Sequence, residues 1–396
     1  MFFKKFGIQS RNIFLMYIAS VIGGMLFFLP VLALYFEKSL FTTTNVALIF
    51  AIEAIAIVIF EIPTGAVADL FGRKRTNVLA YFFVIIAVFF LYLGGSMIMF
   101  VLYAILNAFA RGLASGTSNA LIYDTLKDEG KEQYYKKIIG TYHALWPLGA
   151  SFSAIIGGYL AKTSLSLPIL ATFIPLIIAF ILLLFVKEPD YEREEHRNIF
   201  KHMFSSVGVV LKNKQILILL SGGFLLMALG ESTHLLKPLF LEFKQIPIEY
   251  FGYIFTVTFG LSSLGHYLSH NVSERFGNKK IILFSIIGSL IFLILAPLTG
   301  SWVAVFFLVG SSIFYGLRNP VIDDMINMEA TSSKRATIIS INNFAGQLGV
   351  AIFMPFVGYI ADFYTINTAY LLSGIMLVST VVIFSFLKER KQIRNN

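Results

Sequence analysis

From Ile13 to Phe36 the chain runs for 24 residues without a charged side chain. A helix needs about 20 mostly apolar residues to cross a bilayer. Lipid offers no water to a bare peptide group, so such a run has to bond its own backbone, as a helix does. Runs of this kind recur to the end of the chain, at 12–36, 44–70, 76–95, 97–124, 136–161, 166–186, 216–242, 249–270, 280–298, 301–326, 337–362 and 367–387. Only 13% of the residues are charged, about half the share that covers a soluble domain, and mean hydropathy is +0.79. The pattern predicts an all-α, multi-pass membrane protein with 12 transmembrane helices and the lipid bilayer as its surroundings.

The net charge of +9 points to membrane topology rather than to nucleic acid. Of the 31 Lys and Arg, Arg111 and Arg318 fall inside runs, and Lys38, Lys162, Lys237 and Lys244 fall at the outer side. The other 25 collect in alternate connections and at both ends. That is the positive-inside pattern, and it predicts a protein of the plasma (cell) membrane with both termini cytoplasmic. The first run is too long for the core of a cleavable signal. Without cysteine the chain has no disulfide or thiolate metal site. No Gly-Lys-Ser/Thr phosphate loop and no metal-ligand spacing is present. An enzyme is not expected, nor a cofactor or metal.

The second run ends in an abrupt turn to basic residues, Glu61-Ile-Pro-Thr-Gly-Ala-Val-Ala-Asp-Leu-Phe-Gly-Arg-Lys-Arg75. Gly65, Asp69, Gly72, Arg73 and Lys74 stand at Gly-x-x-x-Asp-x-x-Gly-Arg-Lys. A degenerate second copy follows. A shift of 205 places Asp69-Leu-Phe-Gly72 on Glu274-Arg-Phe-Gly277, and a shift of 200 places Asn119–Asp124 on Asn319–Asp324 and Gly158–Ala161 on Gly358–Ala361. Ordered matches along a whole half mark two parallel six-helix repeats, a plan of transporters whose solute site lies near the midplane. The expected division is an N-terminal bundle over 1–186, a cytoplasmic linker over 187–215 with a short amphipathic helix near 200–211, and a C-terminal bundle over 216–396.

Motif, repeat and linker together resemble the major facilitator superfamily over essentially the whole chain. The resemblance implies two pseudo-symmetric six-helix bundles that rock about a central site. It also implies a conformational latch on the cytoplasmic side, built from Gly65, Asp69, Gly72, Arg73 and Lys74 with Asp124 at the end of the fourth run. In the second copy Glu274 replaces the Asp and Asn278 replaces the Arg, so the latch is expected to be asymmetric. Gly140, Gly149, Gly157 and Gly158 match four of six positions of a pattern found in drug antiporters, while Ser153-Ala154 stand where that pattern has Gly-Pro. This leans toward efflux.

A charge at the bilayer centre costs about 2.5–3.5 kcal/mol on insertion scales, so each one asks for a reason. Arg111 reads either as a cavity cation or as half of a structural ion pair. Glu231 and His234 share a helix face at i and i+3 and are candidates for proton coupling, with Glu53 and Glu61 beside them. Arg318, near Asp323 and Asp324, reads as a gate or salt bridge or as a solute contact. Tyr17, Asn107, Tyr142, Trp146, Tyr315 and Asn342, together with Arg111, Glu231, His234 and Arg318, make up the expected cavity wall. The favoured reading is a monomeric, proton-coupled secondary transporter that exports small hydrophobic or amphipathic molecules by alternating access. The alternatives are a proton-coupled importer of a small organic anion or nutrient and a non-transporting sensor on a transporter scaffold.

Overall fold

The computed structural model describes residues 10–190, 213–329 and 335–388, with the side chains of 62–70 and 335–337 left aside. The helix expected near 200–211 lies outside the described residues. The chain divides into two compact units, residues 1–197 with 247–256, and residues 198–246 with 257–396.

The first unit holds α1 (Arg11–Gly23), α2 (Leu32–Leu40), α3 (Thr43–Phe71), α4 (Arg73–Leu93), α5 (Met97–Ala114), α6 (Thr117–Asp128), α7 (Tyr135–Thr163) and α8 (Leu167–Leu184). Here α1 packs on α7 and α8, α4 packs on α5 and α8, and α3 packs on α5. Ile13, Met16, Tyr17, Leu121, Ile122 and Leu183 form a buried cluster where α1, α6 and α8 meet. The ends of the unit are joined by a reciprocal amide pair. Asn12 Nδ2 donates to the Lys187 carbonyl at 2.9 Å, and the Lys187 N–H donates to Asn12 Oδ1 at 2.9 Å.

The second unit holds α9 (Lys214–Leu235), α10 (Lys237–Phe243), most of α11 (Phe251–Phe276), α12 (Asn278–Leu298), α13 (Ser301–Glu329), α14 (Arg335–Phe363) and α15 (Ile366–Ser385). Its contacts repeat those of the first. α9 packs on α14 and α15, and α12 packs on α13 and α15. The Lys388 N–H donates to Gln215 Oε1 at 2.9 Å, the counterpart of the Asn12–Lys187 pair. The turns before α4 and α12 also match, with Gly72 at φ +97° and Gly277 at φ +95°, values that only glycine adopts without strain.

Among the described residues, ten stretches of helix are long and apolar enough to cross a membrane. The two remaining runs take other forms. The first run breaks after Gly23, leaving α1 with 13 residues, a 3-10 turn at Leu29–Val31, and α2. The run at 249–270 is the 26-residue α11, in which Ser262, Ser263, His266 and His270 dilute the apolar residues. Two runs expected to be continuous also break. The fourth divides at Ser115–Gly116, where Gly116 has φ +72°, and the seventh divides at Leu236.

Candidate functional site

A cavity of about 480 Å³ in the second unit lies among α9, α10, α11, α12, α13, α14 and α15. Fifteen of its 24 lining residues carry hydrogen-bonding side chains. They include Glu231, His234, Lys237, Tyr315, Arg318, Asn319, Asp323, Asn342 and Asn343, with hydroxyls from Thr258, Ser262, Ser289, Ser311 and Ser312. Five of the expected cavity residues, Glu231, His234, Tyr315, Arg318 and Asn342, are therefore brought together. The wall is amphipathic, with these polar side chains set among Leu226, Met227, Phe259, Leu293, Leu308, Ile322 and Leu377.

Arg318 is buried, and its Nη1 donates to Ser289 Oγ at 2.9 Å while its guanidinium lies 5.6 Å from the Tyr315 ring centre. Among the described residues Arg318 makes no ion pair with Asp323 or Asp324, so the salt-bridge reading is corrected. Five residues beyond Arg318 on α13, Asp323 lines the same cavity. Lys237 was expected at the outer interface; it is instead 3% exposed and lines the cavity. Its signal in the sequence was Pro238, which belongs in the first turn of a new helix and so predicts a break at that point. Two acids, Glu231 and Asp323, and two bases, Lys237 and Arg318, are thus among the lining residues. Among the described residues no cluster of His, Asp and Glu could hold a metal.

In the first unit Glu53, Asn107 and Arg111 form one group. Glu53 Oε1 accepts from Asn107 Nδ2 at 2.8 Å and from Arg111 Nη1 at 3.4 Å. The Glu53 side chain is 13% exposed and that of Arg111 is 57% exposed, so the acid is sheltered and the cation reaches outward. Arg111 thus forms an ion pair with Glu53. Tyr17 is not cavity wall: it is buried in the α1 cluster, and its hydroxyl donates to the Ile138 carbonyl at 2.9 Å. Tyr142 packs half-buried against the same cluster, and its carbonyl accepts from Ser20 Oγ at 3.3 Å. Trp146 is exposed on α7, with its carbonyl against Gly24. Glu61 is half-buried in α3.

At the basic turn, Arg73 Nε lies 3.4 Å from Asp124 Oδ2, which is one arm of the expected latch. Gly65 and Asp69 lie in α3, with side chains outside the described set. Glu188, which the sequence reading missed, caps α4: its Oε1 accepts from the Lys74 N–H at 2.9 Å and its Oε2 from the Arg75 N–H at 3.4 Å. A carboxylate there satisfies unpaired amides and meets the positive end of the helix dipole. In the second unit Glu274 pairs with exposed His270 at 3.6 Å.

The chain is 20% identical over 383 residues to a Bacillus subtilis (strain 168) protein described as the uncharacterized MFS-type transporter YxaM, covering 92% of each chain. Its fold is similar to that of the nucleoside transporter NupG (D323A mutant), with TM-score 0.82, 17% identity, and coverage of 95% of this chain and 99% of that one. It is also similar to a D-xylose-proton symporter, with TM-score 0.75, 14% identity, and coverage of 96% and 98%. The family model described as Major Facilitator Superfamily matches residues 13–245 and 234–396. A duplicated six-helix plan and that match over both halves make this chain a member of the Major Facilitator Superfamily, a multi-pass secondary transporter and not an enzyme.

Proposed function

We propose that this transporter couples proton movement to uptake of a small, uncharged, hydrogen-bonding solute across the plasma membrane, working as a monomer with both termini in the cytoplasm. The observation that carries the reading is the set of fifteen hydrogen-bonding side chains that line the cavity in the second unit, two acids and two bases among them. A net-neutral solute with several donors and acceptors satisfies such a wall. An apolar solute makes no hydrogen bond to that wall and forgoes about 0.5–1.5 kcal/mol for each one a polar solute would form. The expected anion-reading role of Arg111 loses support, because Glu53 already compensates that charge. Two of the fold's neighbours are named for polar solutes, nucleosides and D-xylose.

Glu231 is the proposed proton carrier. When it takes a proton the cavity becomes one charge more positive, so solute and proton occupancy are linked through the same wall. Arg73 and Asp124 act as the cytoplasmic latch that alternates with this state. Export of amphipathic molecules is the second reading. It rests on the Gly140, Gly149, Gly157 and Gly158 pattern, but Gly149 and Gly157 have a packing role instead. A Cβ on them would meet the carbonyl oxygens of Val21 and Phe27 at 2.0 and 1.8 Å.

Vesicles containing the purified protein, loaded with a pH-sensitive dye and offered a panel of polar and amphipathic solutes, test the proposal. Solute-driven proton entry with polar, uncharged compounds is expected. Proton movement only with amphipathic compounds overturns the solute class, and none with any compound overturns the coupling. Glu231→Gln is expected to abolish gradient-driven accumulation and leave solute exchange intact.

A further inference from the structure

Lys237 occupies the first position after the break between α9 and α10 and is 3% exposed. Its Nζ lies 3.3 Å from His234 Nδ1 and 3.4 Å from Thr258 Oγ1, and all three residues line the cavity. An ammonium has three donors and no acceptor. Nδ1 therefore accepts, and the ring hydrogen of His234 resides on Nε2. A second positive charge 3.3 Å from the first, away from water, meets a poorly screened repulsion. With Lys237 as an ammonium, His234 is therefore held neutral.

We propose that Lys237 is a positioning residue that holds His234 as the Nε2–H tautomer, so that His234 is a fixed donor to an acceptor atom of the solute and leaves proton carriage to Glu231. The inference deepens the uptake reading above and rests on its solute site. It selects solutes that turn a carbonyl oxygen, ether oxygen or ring nitrogen toward α9. A group with only donor hydrogens there opposes Nε2–H directly. The surrounding elements are consistent with this assignment. On α9, Glu231 acts electrostatically on Lys237. α11 contributes Thr258, Phe259 and Ser262, α13 contributes Tyr315, Arg318 and Asp323, and α14 contributes Asn342 and Asn343. From α15 the Tyr370 hydroxyl donates to the carbonyl of Thr233, next to His234, and steadies that turn.

The test uses full-length protein with nitrogen-15 histidine in lipid nanodiscs at about pH 7.5, without solute, where an ordinary histidine is mostly neutral. The His234 signals are those lost in His234→Gln. The expected wild-type spectrum is a neutral ring with its hydrogen on Nε2, and Lys237→Met is expected to populate both tautomers. A hydrogen on Nδ1 in the wild type, or an unchanged spectrum in Lys237→Met, overturns the proposal. The wild-type spectrum decides the first point even where Lys237→Met does not fold. In vesicles, His234→Gln is expected to raise the half-saturating solute concentration roughly tenfold, as loss of one good hydrogen bond does. Protons moved per solute should stay at the wild-type ratio, and a fall in that ratio overturns the assignment of the proton to Glu231. The spectrum involves no solute, so its failure is distinct from failure of the uptake reading.

Discussion

At the basic turn two carboxylates do different work. Asp124 pairs with the Arg73 side chain, while Glu188 holds the backbone of Lys74 and Arg75. Arg73→Ala is expected to shift the resting population toward inward-facing, measured by faster labelling of cysteines introduced on the cytoplasmic side. An unchanged pattern reduces the turn to a topology signal. Glu188→Gln keeps the acceptor and loses the charge, and is expected to lower stability by about 0.3–1 kcal/mol, read from thermal unfolding in detergent. Gly72→Ala is the harsher change. Its φ of +97° strains any other residue, at about 1–3 kcal/mol, and a Cβ there would sit 2.9 Å from the Glu188 carboxyl. The Arg73–Asp124 pair was legible because the motif supplies Arg73 and the family resemblance implies an acid at the end of the fourth run. The Glu188 cap was not, since it closes a gap of 114 positions with no spacing rule to reveal it.

Elements explain the glycines of α7 better than any functional pattern does. Gly149 and Gly157 let α7 lie against the backbone of α1 and the segment after it, whereas Gly140 has no atom within 4 Å of a built Cβ. Gly157→Leu is therefore expected to cost about 1–3 kcal/mol or more by overpacking, while Gly140→Leu is neutral to folding. Equal losses for both would return the pattern to a shared functional role. The C-terminal end of α7 carries a second contact, with Lys162 Nζ 3.2 Å from Glu249 Oε1. The backbone hydrogen bond at Glu249, and then Lys162, hold this carboxyl below the usual range. Its small contribution is complete above the ordinary carboxylate pKa and is lost as pH falls through the depressed value. Hydrogen exchange over 247–256 should accordingly quicken only in acid, and Glu249→Gln should remove that pH dependence. Helix existence was legible from apolar runs. The breaks at Gly23, Gly116 and Leu236 were not, because the runs stay apolar across them and period alone does not locate a kink.

For the molecule as a whole, the duplication was the most legible property. The offset that paired Asp69-Leu-Phe-Gly72 with Glu274-Arg-Phe-Gly277 pairs two turns of nearly the same backbone, at φ +97° and +95°. The cavity was less legible. Its side chains come from seven helices, and Lys237 read as an outer-face lysine until the break at Leu236 turned it inward. Reporter fusions at either end of the chain are expected to report the cytoplasm, as the distribution of Lys and Arg requires. A periplasmic signal from one end makes the span count odd.

The amide pair between Asn12 and Lys187 has a consequence for how such a chain arises and how it can be rearranged. It holds the first and last helices of one half side by side, and Gln215 with Lys388 does the same in the other. Each half is a loop already closed on itself. A tandem copy then needs only a short connector, with no rethreading of either partner. Neighbouring termini are also what circular permutation exploits: a new connection from Lys187 back to Asn12, with fresh ends cut into an exposed turn such as Gly95, would keep the order of helices around the bundle.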